Sequence, residues 1–316
     1  GFYLLMLLAA KDINVQKIIK ITCYIQGIVL AVFVGLSQLG MIQDYIFDPN
    51  ARVRHGLGFV WTTTAPILYF FFVMSYIYIR REKMHIAEFV ILELVNYWLF
   101  IMTNARMSFA LSSVLLVFIF FMRFYWQNRT NANLKLWNAL LVLSPAIMCC
   151  LALYLHAGYD SSSVMWNKLN SLISGRLALG YDGIKKYGLT LFGQPIEWVG
   201  FSHGESTANY NYVDCSYLQI LLENGIVLLI LIVLAYVYIM YMAIKVKDKY
   251  LQTMILFIVV FSITEPRLMH LGFNPYPFFL TVFFSRGAGE NLFRKQKNHF
   301  PQIRWDVLHI TLKKRE

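Results

Sequence analysis

Charged residues are scarce in this sequence. Only 14% of its 316 residues are Asp, Glu, Lys or Arg, whereas a soluble domain carries about 25%. Apolar residues make up 58% of the chain, and the mean hydropathy is +0.55. Apolar runs close to the ~18 residues that can cross a bilayer recur along the chain. The composition therefore excludes a soluble globular protein and predicts an integral membrane protein.

Cysteine is also rare, with four residues in the whole chain: Cys23, Cys149, Cys150 and Cys215. No two of them have the CxxC spacing or a metal-binding spacing, and three lie in or beside apolar runs. We therefore interpret them as unpaired packing residues and expect no disulfide framework.

Several catalytic motifs are missing as well. The sequence contains no P-loop, no HExxH and no D-x-D pair that would hold a metal-bound nucleotide sugar. These absences argue against nucleotide-driven transport and against nucleotide-sugar transfer in the cytoplasm. We expect neither a cofactor nor a metal ion.

Apolar segments account for most of the chain. A stub at residues 1–10 resembles the end of a span that begins in a missing N-terminal portion, and eight segments follow. They are approximately 21–42, 56–79, 86–102, 107–122, 136–155, 217–244, 250–263 and 271–284. Lipid requires every backbone polar group to be satisfied internally, and no alternating barrel pattern occurs. The predicted fold is all-α, a polytopic transmembrane helix bundle.

The basic residues divide unequally between alternate loops. Twenty of the 28 Lys and Arg residues fall in one set of loops and the C-terminal tail, and eight fall in the other. The positive-inside rule places the richer set in the cytoplasm, so topology and anionic lipids explain the basic excess without nucleic acid. The predicted parts are N-terminal transmembrane helices (1–155), an extracytoplasmic loop with short helices (156–215), C-terminal transmembrane helices (216–285) and a basic cytoplasmic tail (286–316).

Every predicted outer loop contains arginine. The residues are Arg52, Arg54, Arg106, Arg176 and Arg267. A guanidinium near the apolar boundary is costly unless it is paired, and its planar fork suits phosphate or pyrophosphate. We therefore expect Arg106, Arg176 and Arg267 to meet at one outward-opening cavity, where several arginines would suit a lipid-linked pyrophosphate. The alternative is that each pairs with a headgroup or a nearby acid (Asp44, Asp48 or Glu265).

Asp214 is the candidate general base. It precedes an apolar helix whose first residues include Ser216 and Gln219, the S-x-x-Q spacing of a capping box. If Ser216 caps that helix, the Asp214 carboxylate is free to accept a proton from a sugar hydroxyl. The alternatives are that Asp214 stabilises the helix N-terminus or pairs with Arg176. The rival candidates in the same loop are His203 and Glu205.

The outer loop is expected to contain one well-defined helix, at residues 176–187. Ser174 is its predicted N-cap, and Gly188 is the residue expected just after its end.

Three polar residues interrupt the apolar run at 86–102. They are Glu88, Glu93 and Asn96. Ionisable residues within a span are functional by default, but a pair with an arginine or a hydrogen bond inside the bundle explains them at least as well.

Short motifs between residues 102 and 225 resemble those of a known family. They are the T-x-x-R turn at 103–106, Ser174-Gly175-Arg176 followed by Leu191-Phe192-Gly193, and the loop-to-helix junction at Asp214. On these residues the chain resembles the bacterial Wzy-type polymerases of O-antigen and capsular polysaccharide, whose superfamily includes the O-antigen ligases. At the junction the ligases carry a histidine, a small polar residue, nine residues and a glycine. Here Asp214, Cys215, nine residues and Gly225 keep that spacing. Aspartate in place of histidine favours a polymerase over a ligase.

The resemblance implies a GT-C-like glycosyltransferase in the bacterial plasma membrane. Such an enzyme moves a glycan from undecaprenyl pyrophosphate to the terminal sugar of an incoming lipid-linked repeat unit, on the extracytoplasmic side. The implied partners are the undecaprenyl-pyrophosphate-linked oligosaccharide, membrane lipids and other polysaccharide assembly proteins. The residues in implied roles are Arg52, Arg54, Arg106, Arg176 and Arg267 for the pyrophosphate, and Asp214 or His203 for proton transfer.

Three other functions stay open from the residues. An O-antigen ligase would use the same outer surface. A lipid-linked oligosaccharide flippase would carry its charges near mid-membrane and often shows repeated halves. A structural or assembly protein would not need an ordered outer loop of about 60 residues, because long ordered loops are usually functional.

Overall fold

The computed structural model describes residues 2–10, 13–47, 53–128, 135–200 and 210–284, and most of these residues are helical. The helices are α1 (Phe2–Ala9), α2 (Val15–Gln38), α3 (Thr64–Arg80), α4 (Ile86–Thr103), α5 (Arg106–Asn128), α6 (Lys135–Ala157), α7 (Val164–Leu172), α8 (Arg176–Tyr187), α9 (Ser216–Lys245) and α10 (Lys249–Phe261). Short 3-10 helices cover Arg81–Lys83 and Tyr276–Phe284. The strands β1 (Ile46–Phe47) and β2 (Arg54–His55) form an antiparallel hairpin.

Within the described ranges, five helices are long and apolar enough to cross a membrane: α2, α4, α5, α6 and α9. Much of their surface points away from the bundle. Ile21, Ile28 and Leu94, for example, are each more than half exposed. Water would solvate such surface poorly, whereas lipid tails solvate it well. The prediction of a mostly helical fold with several apolar helices that could span a membrane is confirmed.

The shorter helices α3 and α10 lie at the centre of the bundle. α3 packs against α2, α4, α5 and α10, and most of its apolar side chains are buried, whereas Phe72 and Tyr76 are half-buried. Phe70 of α3 contacts Phe261 of α10, with ring centroids 4.4 Å apart. A helix that is apolar all round is stable only where it is surrounded. The four cysteines are free, and Cys23, Cys149 and Cys215 are buried, in agreement with the packing role predicted for them.

Two spans begin elsewhere than the apolar pattern indicated. α2 begins at Val15 rather than near residue 21, because the Asn14 side chain accepts a hydrogen bond from the backbone amide two residues on (2.9 Å). α3 begins at Thr64 rather than near residue 56. The residues before it form β2 and a turn instead. The hairpin thereby brings Arg54 to the end of the bundle where α3 begins.

α9 is broken at Gly225. This residue has φ 87° and ψ 171°, a backbone conformation that side-chain-bearing residues rarely adopt. Two amides after the break donate hydrogen bonds to the 156–215 loop rather than to the helix. The Ile226 amide donates to the Thr190 carbonyl at 3.0 Å, and the Val227 amide donates to the Leu191 carbonyl at 3.1 Å.

The loop and the broken helix approach each other as closely as two backbones can. A Cβ atom on Gly193 would lie 2.3 Å from the Glu223 carbonyl oxygen, and one on Gly225 would lie 2.4 Å from the Gly193 nitrogen. The Gln194 amide also donates to the Glu223 carbonyl at 3.0 Å. Gly193 and Gly225 both belong to the motifs that carry the resemblance. Their role in the fold is to let these backbones meet.

The break also sets the level at which α9 begins. The Ser216 amide donates to the Ser262 carbonyl at 2.9 Å, so the start of α9 lies beside the end of α10. A straight helix of the 30 residues of α9 would be about 45 Å long, whereas the 13 residues of α10 rise only about 20 Å. Because the chain turns at Gly225, the first two turns of α9 can reach α10. Asp214 is placed with them.

The last predicted span is not an α-helix. Residues 262–275 are irregular, and only Tyr276–Phe284 forms a short 3-10 helix. The sequence contains the reason. Pro275 and Pro277 each remove a backbone donor and clash with the preceding helical turn. The prediction of a helix at 271–284 was therefore wrong.

The irregular segment is hydrogen-bonded inside the protein. The Gln26 side-chain amide donates to the Phe273 carbonyl at 2.8 Å, and the Tyr236 hydroxyl donates to the Leu268 carbonyl at 2.7 Å. Asn274 donates to the same Leu268 carbonyl at 2.7 Å. Non-helical backbone among membrane-spanning helices is tolerated where side chains supply its partners.

Candidate functional site

A cavity of about 460 Å³ lies at the end of the bundle where α4 ends and where α3, α5 and α8 begin. Its size is typical of small-molecule sites. The lining comprises Tyr45, Arg54, residues 60–63, residues 104–108, residues 174–176, Leu179, Tyr210, Asp214 and Glu265. Because Arg54, Arg106 and Arg176 all line it, we refer to it as the arginine cavity.

Helix N-termini meet at the arginine cavity. Thr62 and Thr63 line it from the start of α3, and residues 105–108 line it from the start of α5. No side-chain hydrogen bond caps α3. The first amides of a helix carry a partial positive charge equivalent to about half an elementary charge, and they bind anions readily. The backbone alone therefore makes this cavity favourable for a negatively charged ligand.

The third helix at the cavity, α8, is capped from within the protein. The Asn170 side chain accepts hydrogen bonds from the amides of Leu177 (3.0 Å) and Ala178 (3.2 Å). The predicted N-cap, Ser174, is not the cap. The N-cap position is occupied by Gly175, which has φ 84° and suits glycine because that conformation strains other residues. Gly188 follows the end of α8, as predicted.

Arg54 and Arg106 differ in the contacts that their guanidinium groups make with the rest of the protein. Arg54 is fixed, because its Nε donates to the Thr103 carbonyl at 2.8 Å. Arg106, the first residue of α5, has an exposed side chain. Within the described ranges it makes no hydrogen bond or ion pair through its guanidinium. Among the described lining residues, Arg106 is therefore a cation whose guanidinium donors are available to a ligand.

Arg176 is anchored on three sides. Its Nη2 lies 2.8 Å from Glu265 Oε1, and its Nε lies 3.4 Å from Asp214 Oδ2. Its Nη1 donates to the Thr264 carbonyl. Burial lowers the pKa of the Arg176 guanidinium, but Glu265 and Asp214 outweigh burial and raise that pKa above its usual value, so the group stays charged. An anchored guanidinium has a fixed position and presents the same edge to every ligand.

Asp214 and Glu265 share this single guanidinium. Burial raises the pKa of both carboxyl groups, and the attraction of Arg176 and Arg267 opposes that rise without cancelling it. Each carboxylate is thus partly neutralised and poorly hydrated, which makes it a better proton acceptor than an ordinary surface carboxylate. Asp214 is the more accessible of the two, with 21% of its side chain exposed against 5% for Glu265.

The capping-box prediction was wrong. The N-cap of α9 is Cys215, without a side-chain cap, and Ser216 is the first helical residue. The Ser216 hydroxyl instead donates to the Glu265 carbonyl at 2.5 Å and accepts from the Leu268 amide at 3.1 Å. Ser216 therefore holds the 264–268 turn against α9. Asp214 does precede the helix, but it is paired with Arg176 rather than free.

Arg267 lies beside the cavity rather than in its lining. Its guanidinium stacks on the Phe273 ring, 4.8 Å from the centroid, and its charge acts on Asp214 and Glu265. The sequence suggested Glu265 as a partner for a nearby arginine such as Arg267, whereas its ion pair is with Arg176. Four other residues from the sequence analysis lie outside the described residues: Asp48, Arg52, His203 and Glu205.

The polar residues of α4 have structural partners. Glu88 accepts hydrogen bonds from Arg80 (2.6 Å) and Tyr76 (2.5 Å) at the opposite end of the bundle. Ser113 of α5 donates to Glu93 at 2.5 Å and accepts from Asn96 at 2.9 Å. These hydrogen bonds fit the structural interpretation of the three residues, in which they pair inside the bundle, rather than the functional one.

Known proteins supply no counterpart for this arrangement. No family model matches the chain, and neither a curated protein nor a solved structure does. Among the described residues no three His, Cys, Asp or Glu side chains gather in a way that could hold a metal ion. The chemistry of the cavity therefore has to be argued from its own residues.

Proposed function

We propose that the arginine cavity binds the pyrophosphate of a lipid-linked glycan. The protein would be a polysaccharide polymerase that transfers the glycan to the terminal sugar of a lipid-linked repeat unit. The observation that carries the proposal is the meeting of Arg54, Arg106 and Arg176 with the N-termini of α3 and α5 around one cavity. Asp214 and Glu265 offset the charge of Arg176, so the positive charge that remains at Arg54, Arg106 and the helix N-termini favours an anionic ligand.

Asp214 and Glu265 add carboxylates that can accept a proton to the anion-binding groups of the cavity. In the proposed reaction an acceptor hydroxyl oxygen attacks the anomeric carbon of the donor glycan, and the bond from that carbon to the pyrophosphate oxygen breaks. The hydroxyl proton passes to the Asp214 carboxylate, and the negative charge of the leaving pyrophosphate is stabilised by the arginines. Asp214 suits this role better than Glu265, because its contact with Arg176 is longer and it is more exposed.

The position of the cavity supports an enzyme over a flippase. A transporter is expected to hold its substrate near mid-membrane, whereas this cavity is formed where helices begin and end. The loops at the cavity end carry eight of the 28 basic residues, so the positive-inside rule favours an extracytoplasmic site. Lipid-linked glycans for polymerisation would be presented on that side. Aspartate at the junction where the ligases carry histidine favours a polymerase over a ligase.

The test is a polymerisation assay in detergent with purified protein and purified lipid-linked repeat units. The wild-type protein should lengthen the glycan in steps of one repeat unit and release polyprenyl pyrophosphate. Asp214→Asn keeps the shape of the side chain but accepts no proton, so it should lose a factor of about 100 to 10,000 in rate while still binding substrate. Glu265→Gln is the matched comparison and should retain more activity. Turnover by Asp214→Asn at the wild-type rate would remove Asp214 from the mechanism.

A further inference from the structure

A second cavity, of about 590 Å³, lies between α2, α3 and α4. The residues that line it recur at helical spacing on one face of each helix, for example Gly27, Ala31 and Gly35 on α2. Tyr69, Phe72 and Tyr76 of α3 form its floor. We refer to it as the apolar groove.

Three polar side chains of the groove, those of Tyr69, Tyr76 and Glu88, are already hydrogen-bonded within the protein. The Tyr69 hydroxyl donates to the Leu92 carbonyl at 2.5 Å, and the Tyr76 hydroxyl donates to Glu88 at 2.5 Å. Glu88 is in turn paired with Arg80 at 2.6 Å. An occupant of the groove gains no hydrogen bond from these groups and leaves none unsatisfied. The groove is therefore suited to a purely hydrocarbon ligand.

The groove is open along the surface that faces lipid. Ile91 and Val95 line it from α4 while remaining 59% and 40% exposed, and Ala31 is exposed on α2. No atom lies within 4 Å of the Cβ position of Gly35. A chain that is already dissolved in the bilayer can therefore enter from the side.

The groove leads toward the arginine cavity along two helices. On α4, Leu99 lines the groove and Asn104 lines the cavity, five residues or about 7.5 Å further along the helix axis. On α3, Tyr69 lines the groove and Thr63 lines the cavity, six residues or about 9 Å away. These separations are short enough for one lipid to occupy both sites. Its charged head would lie in the cavity and its chain in the groove.

We propose that the apolar groove holds the isoprenoid chain of the lipid whose pyrophosphate occupies the arginine cavity. This assignment rests on the proposed function, because it takes the head group from there. It adds the direction in which the lipid lies. The chain runs from the arginine cavity along α3 and α4 toward Glu88, and the glycan is left on the other side of the pyrophosphate, near Asp214.

Photocrosslinking tests the assignment. The photoreactive residue p-benzoylphenylalanine replaces Val95, which lines the groove, or Leu94, which is 63% exposed on the same helix but does not line it. Each protein is irradiated with undecaprenyl pyrophosphate in nanodiscs of phosphatidylethanolamine and phosphatidylglycerol, and adducts are identified by mass. The isoprenoid adduct should be several-fold more abundant at position 95 than at position 94. Equal labelling, or only phospholipid adducts at position 95, would overturn the proposal.

A blocking variant and its control sharpen the result. Ala31→Phe fills the groove, whereas Val32→Phe places the same side chain at a neighbouring position outside it. Only Ala31→Phe should suppress the isoprenoid adduct at position 95, and neither variant should change the binding of inorganic pyrophosphate. Suppression by both variants, or by neither, would contradict the assignment.

A separate arm distinguishes the groove from the head-group site. Arg106→Ala should weaken the binding of inorganic pyrophosphate and reduce the position-95 adduct. If the adduct forms at position 95 and Arg106→Ala does not change its yield, pyrophosphate binding in the arginine cavity and the proposed function are contradicted. Isoprenoid binding in the apolar groove would still be supported.

Discussion

Replacing Gly225 by alanine should destabilise the protein strongly, because the residue holds a contact between two backbones. Its φ of 87° costs a side-chain-bearing residue roughly 1–2 kcal/mol. The new Cβ would also lie 2.4 Å from the Gly193 nitrogen and 2.5 Å from the Leu191 carbonyl oxygen, so the loop must move. That movement breaks the hydrogen bonds from Ile226 and Val227, each of which contributes about 1 kcal/mol.

The expected loss is therefore roughly 3–4 kcal/mol of unfolding free energy, about half of a typical total. Thermal unfolding of the purified protein in detergent, followed by intrinsic tryptophan fluorescence, measures it. Gly35→Ala is the matched control. Gly35 is helical, and its Cβ position is clear of other atoms, so that substitution should stabilise the protein by up to about 1 kcal/mol.

A Gly225→Ala variant that unfolds at or above the wild-type midpoint would refute the reasoning. It would mean that the backbone of residues 190–194 does not contact α9 at its break. The result also bears on function, since the break lets the start of α9 reach α10 and thereby positions Asp214.

Three further predictions concern the arginine cavity. Arg106→Ala should lower the affinity for pyrophosphate about tenfold or more without affecting unfolding. Arg106→Lys should lower that affinity less, because lysine keeps the charge but lacks the bidentate fork. Titration calorimetry with each variant measures the two affinities. Ser216→Ala should cost about 1–3 kcal/mol in denaturant unfolding, because the Glu265 carbonyl and the Leu268 amide lose their partner. Burial raises the pKa of Asp214, so transfer rates should fall on acidification at a pH above the ordinary aspartate value of about 3.9, and Asp214→Asn should abolish this limb of the pH–rate profile.

The order of the helices and the arginines of the cavity were predictable from the sequence. The short turn between α4 and α5 leaves few places for Arg106, and a long loop before an apolar helix places Asp214 near the same end. The ion pairs of Arg176 were harder to foresee. Its partner Glu265 is 89 residues away in the chain, in a turn where Arg267 is the nearer cation. Ion pairs across such separations depend on packing, which local patterns do not encode.

Two errors have local causes that the hydrophobic pattern concealed. The S-x-x-Q spacing at Ser216 favours a capping box, but the hydroxyl has better partners in the 264–268 turn. Gly225 and the prolines at 275 and 277 lie in apolar runs that a span count treats as continuous. At Gly225 and at the two prolines, the backbone departs from the α-helix because glycine permits the departure and proline requires it. At these positions the helix-breaking residues predict the backbone better than hydropathy does.

The central claim is that the arginine cavity holds a lipid-linked pyrophosphate, and a map of the complex tests it most directly. Cryo-electron microscopy of the protein in nanodiscs with undecaprenyl pyrophosphate would locate the two phosphates. The account predicts density for both phosphates within hydrogen-bonding distance of the Arg106 and Arg176 guanidinium groups, beside the first residues of α3 and α5. Phosphate density elsewhere on the protein, with the arginine cavity empty in the same map, would contradict it.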